Sequence, residues 1–360
     1  MNQYQHCFKH FGFTTPPYGI IHDIIKKINF NGPKIFYILD PLGGEELPYD
    51  EIKLQSKDDL FIVIQTGEGH SHHFFDKLLP KLINESAVPP NHITTYTGCL
   101  LDPTSPVNHI GMLAHCSTVL SKIGFNFMSV SPTHHYICLN REIRWQRCAV
   151  VEQLLDRNLD RYGKISYGSA WNPSEFQLHD PWVSDRYKHR FPMYINEGKK
   201  VDFNQGYNIE SLDITGALFN IVTESSFEPH ITEHPPYKYQ FLPTLSEKTY
   251  KAFILGQIPI LVSPQYTVRA AREFGFDMFD DIVNHDLYDL EPDPIHRIKL
   301  IVDQIEKICS MSFVDLIRLK QQIHTRLENN FEKLKYWGSN CHAGDFPRWQ
   351  SYFKKLGIVE

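Results

Sequence analysis

A lysine follows a serine and a glutamate where the sequence predicts the start of a short helix. Ser246 is a favourable N-cap, and Glu247 and Lys248 fall in the first turn, whose backbone N–H groups lack acceptors within the helix. Such a helix start attracts anions, phosphate in particular, and the lysine adds a charge of the right sign. We therefore predict a phosphate site at residues 246–249, which include Thr249. An ordinary surface helix is the alternative interpretation, because glutamate and lysine are common in all helices.

Three arginines follow a predicted strand at intervals of three residues and enter a predicted helix. On a helix, this spacing places Arg141, Arg144 and Arg147 on neighbouring positions of one side. A guanidinium group stays charged and donates two parallel hydrogen bonds to the oxygens of a phosphate. The three arginines therefore suit a diphosphate. A solvated helix face, with Glu142 and Glu152 as ion-pair partners, is the alternative interpretation.

Apolar runs of strand length alternate with helical patterns along most of the chain. This alternation predicts parallel sheets, and two such sets predict an α/β protein of two Rossmann-like, doubly wound domains that face a cleft. We place the domains at 1–134 and 135–335, followed by a helical tail at 336–360. The predicted strands are 34–39, 60–65, 125–130, 135–139, 164–168, 217–223 and 258–262. The predicted helices are 74–83, 110–123, 145–155, 247–255 and 268–274, with one or two long helices over 298–327. Gly256 is predicted to end the helix 247–255 in a left-handed conformation.

The carboxyl ends of parallel strands meet at one edge of a sheet, where ligands of open α/β domains bind. Strand 217–223 ends in Thr223 and Glu224, beside the arginines and the helix start at Ser246. We expect the cationic side chains to hold the phosphates of a nucleotide at this edge. We expect Glu224 to accept hydrogen bonds from ribose or sugar hydroxyls.

Three segments of the second predicted domain resemble motifs of the alpha-1,3-fucosyltransferase family. Residues 246–248, Ser-Glu-Lys, with the strand sequence Ile-Pro-Ile-Leu at 258–261, resemble its donor-binding motif. Residues 219–225, Phe-Asn-Ile-Val-Thr-Glu-Ser, look like the preceding strand of the same family, which ends in a glutamate. Arg147, upstream of Tyr-Gly at 167–168, is similar to the Arg-helix-Tyr-Gly segment of that family.

The resemblance covers roughly 136–290 and implies a GT-B architecture with the nucleotide-sugar donor in the second domain. Residues 140–147 also resemble an Asn- and Arg-rich motif of related viral and bacterial glycosyltransferase-like proteins. The implied donor is linked to GDP or UDP, with fucose as the default sugar, and the implied acceptor is a glycan or another hydroxyl compound. In the family, Arg147, Glu247 and Lys248 would contact the nucleotide and its phosphates. The predicted donor site as a whole comprises Arg141, Arg144, Arg147, Tyr167, Gly168, Thr223, Glu224, Ser246, Glu247, Lys248 and Thr249.

The catalytic base is expected from the first domain, in a loop that directly follows strand 60–65. Glu68 or His70 in this loop would take the proton of the acceptor hydroxyl, as general-base catalysis requires. The deprotonated acceptor would then attack the anomeric carbon in line and invert its configuration. An acid favoured by the dipole of a helix start is the alternative interpretation of Glu68.

No metal and no cofactor are expected at this site. His70, His72 and His73 lie close together in the sequence, but no second group of cysteines or histidines has ligand spacing. No strand ends in an Asp-x-Asp pattern that would hold a divalent ion on a diphosphate. Arginine, lysine and the helix dipole would then stabilise the leaving group in place of a metal.

Composition restricts the partners and the location. The formal net charge of −6 argues against general binding to nucleic acid. The first residues lack a signal-peptide pattern, no apolar run approaches the ~20 residues that cross a bilayer, and seven scattered cysteines indicate reduced thiols. We therefore expect the glycosyltransferase that the resemblance implies to be cytoplasmic and to have no transmembrane segment. A sugar-nucleotide epimerase of the same architecture and a catalytically inactive module that binds nucleotide sugars or glycans are the alternatives.

Overall fold

The computed structural model describes residues 7–11, 24–39, 49–55, 58–66, 79–97, 100–101, 108–111, 130–140, 144–167, 186–190, 193, 212–224, 227, 231–234, 237–242, 245–339 and 341–359. The strands are β1 (Cys7–Phe11), β2 (Ile35–Leu39), β3 (Leu60–Thr66), β4 (Ile93–Thr97), β5 (Leu100–Leu101), β6 (Asn108–Gly111), β7 (His134–Asn140), β8 (Gly163–Tyr167), β9 (Ala217–Thr223), β10 (Ile231–His234), β11 (Tyr237–Leu242) and β12 (Ile258–Val262). The helices are α1 (Tyr49–Leu54), α2 (Leu79–Asn84), α3 (Trp145–Asp156), α4 (Leu212–Thr215), α5 (Glu247–Ile254), α6 (Thr267–Glu273), α7 (Asp286–Asp289), α8 (Pro294–Cys309), α9 (Phe313–Gln322), α10 (His324–Ser339) and α11 (Cys341–Lys355).

The chain divides into two compact units. Unit 1 comprises Met1–Ser121, Pro229–Thr244 and Lys335–Glu360, and unit 2 comprises Lys122–Glu228 and Leu245–Leu334. The predicted domains are continuous segments, whereas each unit gathers separate segments of the chain. In particular, the chain leaves unit 2 after Glu228 and returns to it at Leu245.

Unit 1 contains a sheet of five parallel strands in the order β1-β2-β3-β4-β6. Among the described strands this order follows the chain without a reversal, whereas the double winding predicted for the first domain requires one. Strands β10, β11 and β5 form a second, antiparallel sheet in the same unit. The chain is therefore a mixed α/β protein with parallel sheets.

The predicted helix 110–123 is wrong at its start. Ile110 and Gly111 belong to β6, where they pair with Tyr96 and Thr97 of β4. Pairing within a sheet outweighs a weak local helical pattern, because it depends on neighbours that are distant in sequence. Residues 112–129, which include most of the predicted strand 125–130, lie outside the described residues.

Aromatic side chains cover one face of the parallel sheet in unit 1. Phe36 and Phe61 stand opposite each other on β2 and β3, are buried, and have ring centroids 5.6 Å apart. Phe353 of α11 packs on both, with ring centroids 5.9 Å from Phe36 and 5.8 Å from Phe61. Trp349, one turn earlier in α11, is fully buried beside Phe353. Helix α11 is therefore a packed layer of unit 1.

Unit 2 contains a sheet of four parallel strands in the order β12-β9-β7-β8. Every residue of β9 and β12 is buried, as expected for strands that are covered on both faces. The strand order reverses at β7, because β8 lies on one side of it and β9 on the other. In open α/β sheets such a reversal creates a crevice at the carboxyl ends of the flanking strands, here β7 and β9.

The local signals around α5 are confirmed. Ser246 is the N-cap and its side chain accepts a hydrogen bond from the backbone N–H of Lys248. Gly256 follows the C-cap with φ of +60°, the left-handed conformation that glycine adopts without strain. The predicted strand 258–262 then appears as β12.

Three helices occupy the stretch for which one or two were predicted at 298–327. Ser312 interrupts the helical path and caps α9 by accepting a hydrogen bond from the backbone N–H of Asp315. A second break at Ile323 separates α9 from α10. Among the described residues, none of the helices has the length and apolar character to cross a membrane.

The substitution Phe353→Ala should lower the free energy of unfolding by about 3–5 kcal/mol, because it leaves a cavity where the phenyl ring packs between α11 and two strands. Chemical denaturation followed by circular dichroism measures this loss. Lys354→Ala, at an exposed position of the same helix, should remain near wild type. A loss below about 1 kcal/mol for Phe353→Ala would contradict the packing of α11 on the sheet.

Candidate functional site

The carboxyl ends of β7 and β9 are joined by a buried side-chain hydrogen bond. The hydroxyl of Thr223, the last residue of β9, donates to Oδ1 of Asn140, the last residue of β7, at 2.5 Å. Nδ2 of Asn140 donates in turn to Sγ of Cys138 at 3.1 Å. Burial raises the pKa of the Cys138 thiol to about 12, so this sulfur is a neutral acceptor. The two strand ends are thereby fixed side by side where the strand order reverses.

The first turn of α3 reaches across to the end of β9. Gln146 Nε2 donates to the carbonyl oxygen of Glu224 at 3.2 Å, and a guanidinium nitrogen of Arg147 donates to the carbonyl oxygen of Thr223 at 3.3 Å. Both side chains are buried. The sequence predicts Arg147 as a phosphate ligand, whereas the described contact of Arg147 is with the backbone of the sheet edge.

Arg144 occupies the N-cap position of α3 in an extended backbone conformation and is exposed. Its side chain does not cap the helix, and the described first turn of α3 contains no acidic residue. The positive end of the helix dipole and the positive charge of the guanidinium group therefore lie at the same place. An anion near this helix start would be favoured by both.

The carboxylate of Glu224 accepts three hydrogen bonds at the start of α5. Oε1 accepts from the backbone N–H of Ser246 at 3.2 Å and from the hydroxyl of Thr249 at 2.7 Å, while Oε2 accepts from the hydroxyl of Ser246 at 2.5 Å. Only 3% of Glu224 is exposed. The sequence predicts that this carboxylate meets ligand hydroxyls, but the structure occupies it with groups of the chain itself.

Lys248 lies in the first turn of α5 and is half-buried. Its Nζ is 3.5 Å from the hydroxyl oxygen of Ser246, so the ammonium group is held beside the N-cap. A cation at a helix N-terminus is disfavoured by the dipole unless an anion is present. The carboxylate of Glu224 offsets part of this cost at the start of α5, and the ammonium group adds positive charge where a phosphate would meet the helix.

The structure brings most of the predicted donor residues to one edge of unit 2. Tyr167, the last residue of β8, is fully buried and stands opposite Asn140 in the sheet register. Arg141, Gly168, Glu68 and His70 lie outside the described residues. The residues that meet at or next to the edge are Arg144, Arg147, Tyr167, Thr223, Glu224, Ser246, Glu247, Lys248 and Thr249.

Two residues of this edge were not predicted as part of the site. Asn140 and Gln146 hold the strand ends and the helix start together, as described above. The available signal was a polar residue at the end of an apolar strand and a second one in the following helical turn. Within the described residues, no group of three or more His, Cys, Asp or Glu side chains is placed to hold a metal ion.

The neighbouring strand end, that of β12, is organised by a second buried carboxylate. Asp289 accepts hydrogen bonds from the backbone N–H groups of Val268 at 2.9 Å and Arg269 at 3.1 Å, and so caps α6. Its carbonyl oxygen accepts from the N–H of Tyr266, the N-cap residue, which has φ of +66°. Burial raises the pKa of Asp289 from 3.8 to about 6, although the two N–H groups act in the opposite direction.

The raised pKa of Asp289 makes a signed prediction for stability. Because the pKa of Asp289 is higher in the folded than in the unfolded protein, proton binding to this carboxyl group stabilises the fold. This stabilisation is fully present below about pH 4 and is lost as the pH rises through about 6. The stability of wild type relative to Asp289→Asn should therefore fall between pH 4 and pH 8 by up to about 3 kcal/mol. Urea denaturation of both proteins across this range measures the difference, since all other titrating groups cancel. A pH-independent difference would contradict the raised pKa.

Comparisons with known proteins give no relative for this chain. No protein-family model, no curated protein and no solved structure matches it. The resemblance to the alpha-1,3-fucosyltransferases therefore stays a prediction. The chemistry of the edge has to be inferred from its own residues.

Proposed function

We propose that the protein is a glycosyltransferase that takes its sugar from a nucleoside diphosphate donor bound at the carboxyl edge of unit 2. The observation that carries this proposal is the meeting of two helix starts, α3 and α5, at the strand reversal between β7 and β9. Each start carries a basic side chain, Arg144 on α3 and Lys248 on α5. Two helix starts with added cations suit a ligand with two adjacent phosphates.

The buried groups behind these cations support the proposal by keeping them in place. Thr223, Glu224 and Arg147 are at most 3% exposed, and their described contacts are internal. Stabilisation of a departing diphosphate is strongest when the donors need not reorganise during the reaction. A rigid polar layer beneath Arg144 and Lys248 meets this requirement.

The remaining steps belong to the same proposal. An acceptor hydroxyl, on a glycan or a related compound, attacks the anomeric carbon in line and inverts its configuration. Glu68 or His70 takes its proton, and arginine, lysine and helix dipoles carry the charge of the leaving GDP or UDP without a metal. We propose that the reaction takes place in the cytoplasm.

Lys248→Ala should weaken the binding of the nucleotide-sugar donor by about 10- to 100-fold, because it removes a charge-assisted hydrogen bond to phosphate. The melting temperature should stay near that of wild type, since the ammonium group gains nothing from the helix dipole in the empty protein. Isothermal titration with a panel of GDP- and UDP-sugars, with and without EDTA, measures both the affinity and the need for metal. The result expected for wild type is binding of at least one donor, unaffected by EDTA.

Lys251→Ala is the matched control, because Lys251 lies in the last turn of the same helix and the same charge is removed. Its donor affinity should equal that of wild type. Equal losses in both variants would indicate general electrostatics and not a phosphate site. Turnover of the donor without any acceptor would favour the epimerase, and binding without turnover over a broad acceptor panel would favour the inactive module.

A further inference from the structure

We infer that Glu224 is a positioning residue for the donor site: its buried carboxylate fixes the first turn of α5, and with it Lys248, against the end of β9. This inference rests on the proposed function, because it assigns a role in donor binding. It differs from the sequence prediction, in which Glu224 itself touches the ligand. The carboxylate acts through Ser246 and Thr249, the residues to which it is hydrogen-bonded.

Every polar group of Glu224 is used to connect elements of unit 2. Its backbone N–H donates to the carbonyl oxygen of Val262 in β12 at 2.9 Å, and its carbonyl oxygen accepts from Gln146 of α3 at 3.2 Å. Its carboxylate accepts from the start of α5. One residue thus joins a strand end to a second strand and to two helix starts. With 3% exposure, it has almost no surface to offer a ligand.

The partners of the carboxylate explain why an acid stands at this position. The backbone N–H of Ser246 and the hydroxyls of Ser246 and Thr249 all donate to it, and an ionised carboxylate is an acceptor at both oxygens. A glutamine would turn an N–H group towards the serine hydroxyl and lose one acceptor. The negative charge at the helix start also offsets the unfavourable placement of the Lys248 ammonium group.

The hydroxyl group of Ser246 connects Glu224 to Lys248 through two successive hydrogen bonds. Because the Ser246 hydroxyl donates its proton to Glu224, its oxygen is oriented to accept from the backbone N–H of Lys248, at 3.2 Å. The same oxygen is 3.5 Å from Nζ of Lys248. Loss of the carboxylate acceptor would free the serine hydroxyl to rotate and would loosen the turn that presents the lysine.

The sign of the effect on affinity separates positioning from simple electrostatics. A negative charge close to a bound phosphate opposes it, so neutralising Glu224 should tighten donor binding if charge alone mattered. If Glu224 positions the turn, neutralisation should weaken binding. We expect Glu224→Gln to weaken donor binding by about tenfold, within the range of coupling that neighbouring residues show.

A pair of substitutions at Thr249 tests the same positioning role without changing any charge. Thr249 is fully buried, and its hydroxyl donates to Glu224 at 2.7 Å. Thr249→Val keeps the shape of the side chain but removes the donor, and it should weaken donor binding in the same direction as Glu224→Gln. Thr249→Ser keeps the hydroxyl and should retain the affinity of wild type.

Ser312→Ala provides the control for a general loss of stability. Ser312 caps α9 as Ser246 caps α5, and α9 begins beside His135, close to the opposite end of β7. Its removal should lower the melting temperature while donor affinity, measured well below that temperature, stays unchanged. An equal loss of affinity in Ser312→Ala would show that destabilisation alone explains the Glu224 variants and would overturn the inference.

Hydrogen exchange in the ligand-free proteins gives a readout that needs no donor. Peptides spanning 245–253 should exchange faster in Glu224→Gln and Thr249→Val than in wild type, while peptides from α9 should not change. Unchanged exchange over 245–253, or tighter donor binding in Glu224→Gln, would overturn the inference. Failure of wild type to bind any nucleotide sugar would overturn the proposed function instead, and the exchange data would still decide whether Glu224 anchors α5.

Discussion

A buried carboxylate needs hydrogen-bond donors, and the donors that reach Glu224 come from the start of α5. This constraint decides where α5 begins and how its first turn faces the end of β9. The backbone of the same residue is held by β12 and α3. The candidate site is therefore a consequence of how unit 2 satisfies one charged group at the point where its strand order reverses.

The two units differ in the feature that makes a ligand site in α/β folds. The described strands of the parallel sheet in unit 1 lie side by side in chain order, so the strand order does not reverse among them. In unit 2, the chain builds outward from β7 in both directions, and open α/β sheets bind their ligands at such a reversal of the strand order. The proposed binding of an anion by a protein with a net charge of −6 rests on local helix starts and basic side chains.

Elements with strong local signals were predictable from the sequence, and contacts across the chain were not. The cap at Ser246, the stop at Gly256 and the buried strands β9 and β12 follow from residue types within a few positions. The hairpin of β10 and β11 was missed, although Tyr237, Tyr239 and Phe241 alternate as in a strand. The partners of Glu224 could not be foreseen, since Ser246 lies 22 residues away and Gln146 lies 78 residues away.

These separations have a consequence for how the protein acquires its site. Between Glu224 and Ser246 the chain departs to build β10 and β11 in unit 1 and then returns. Closing this 22-residue excursion costs chain entropy, and the contact between Ser246 and Glu224 needs the chain to have returned from unit 1. We expect the first turn of α5 to become ordered only after β10 and β11 have left and the chain has returned to unit 2. On the proposed function, a chain that has not completed this return would hold no sugar nucleotide, so occupancy of the site would report that the first turn of α5 is in place.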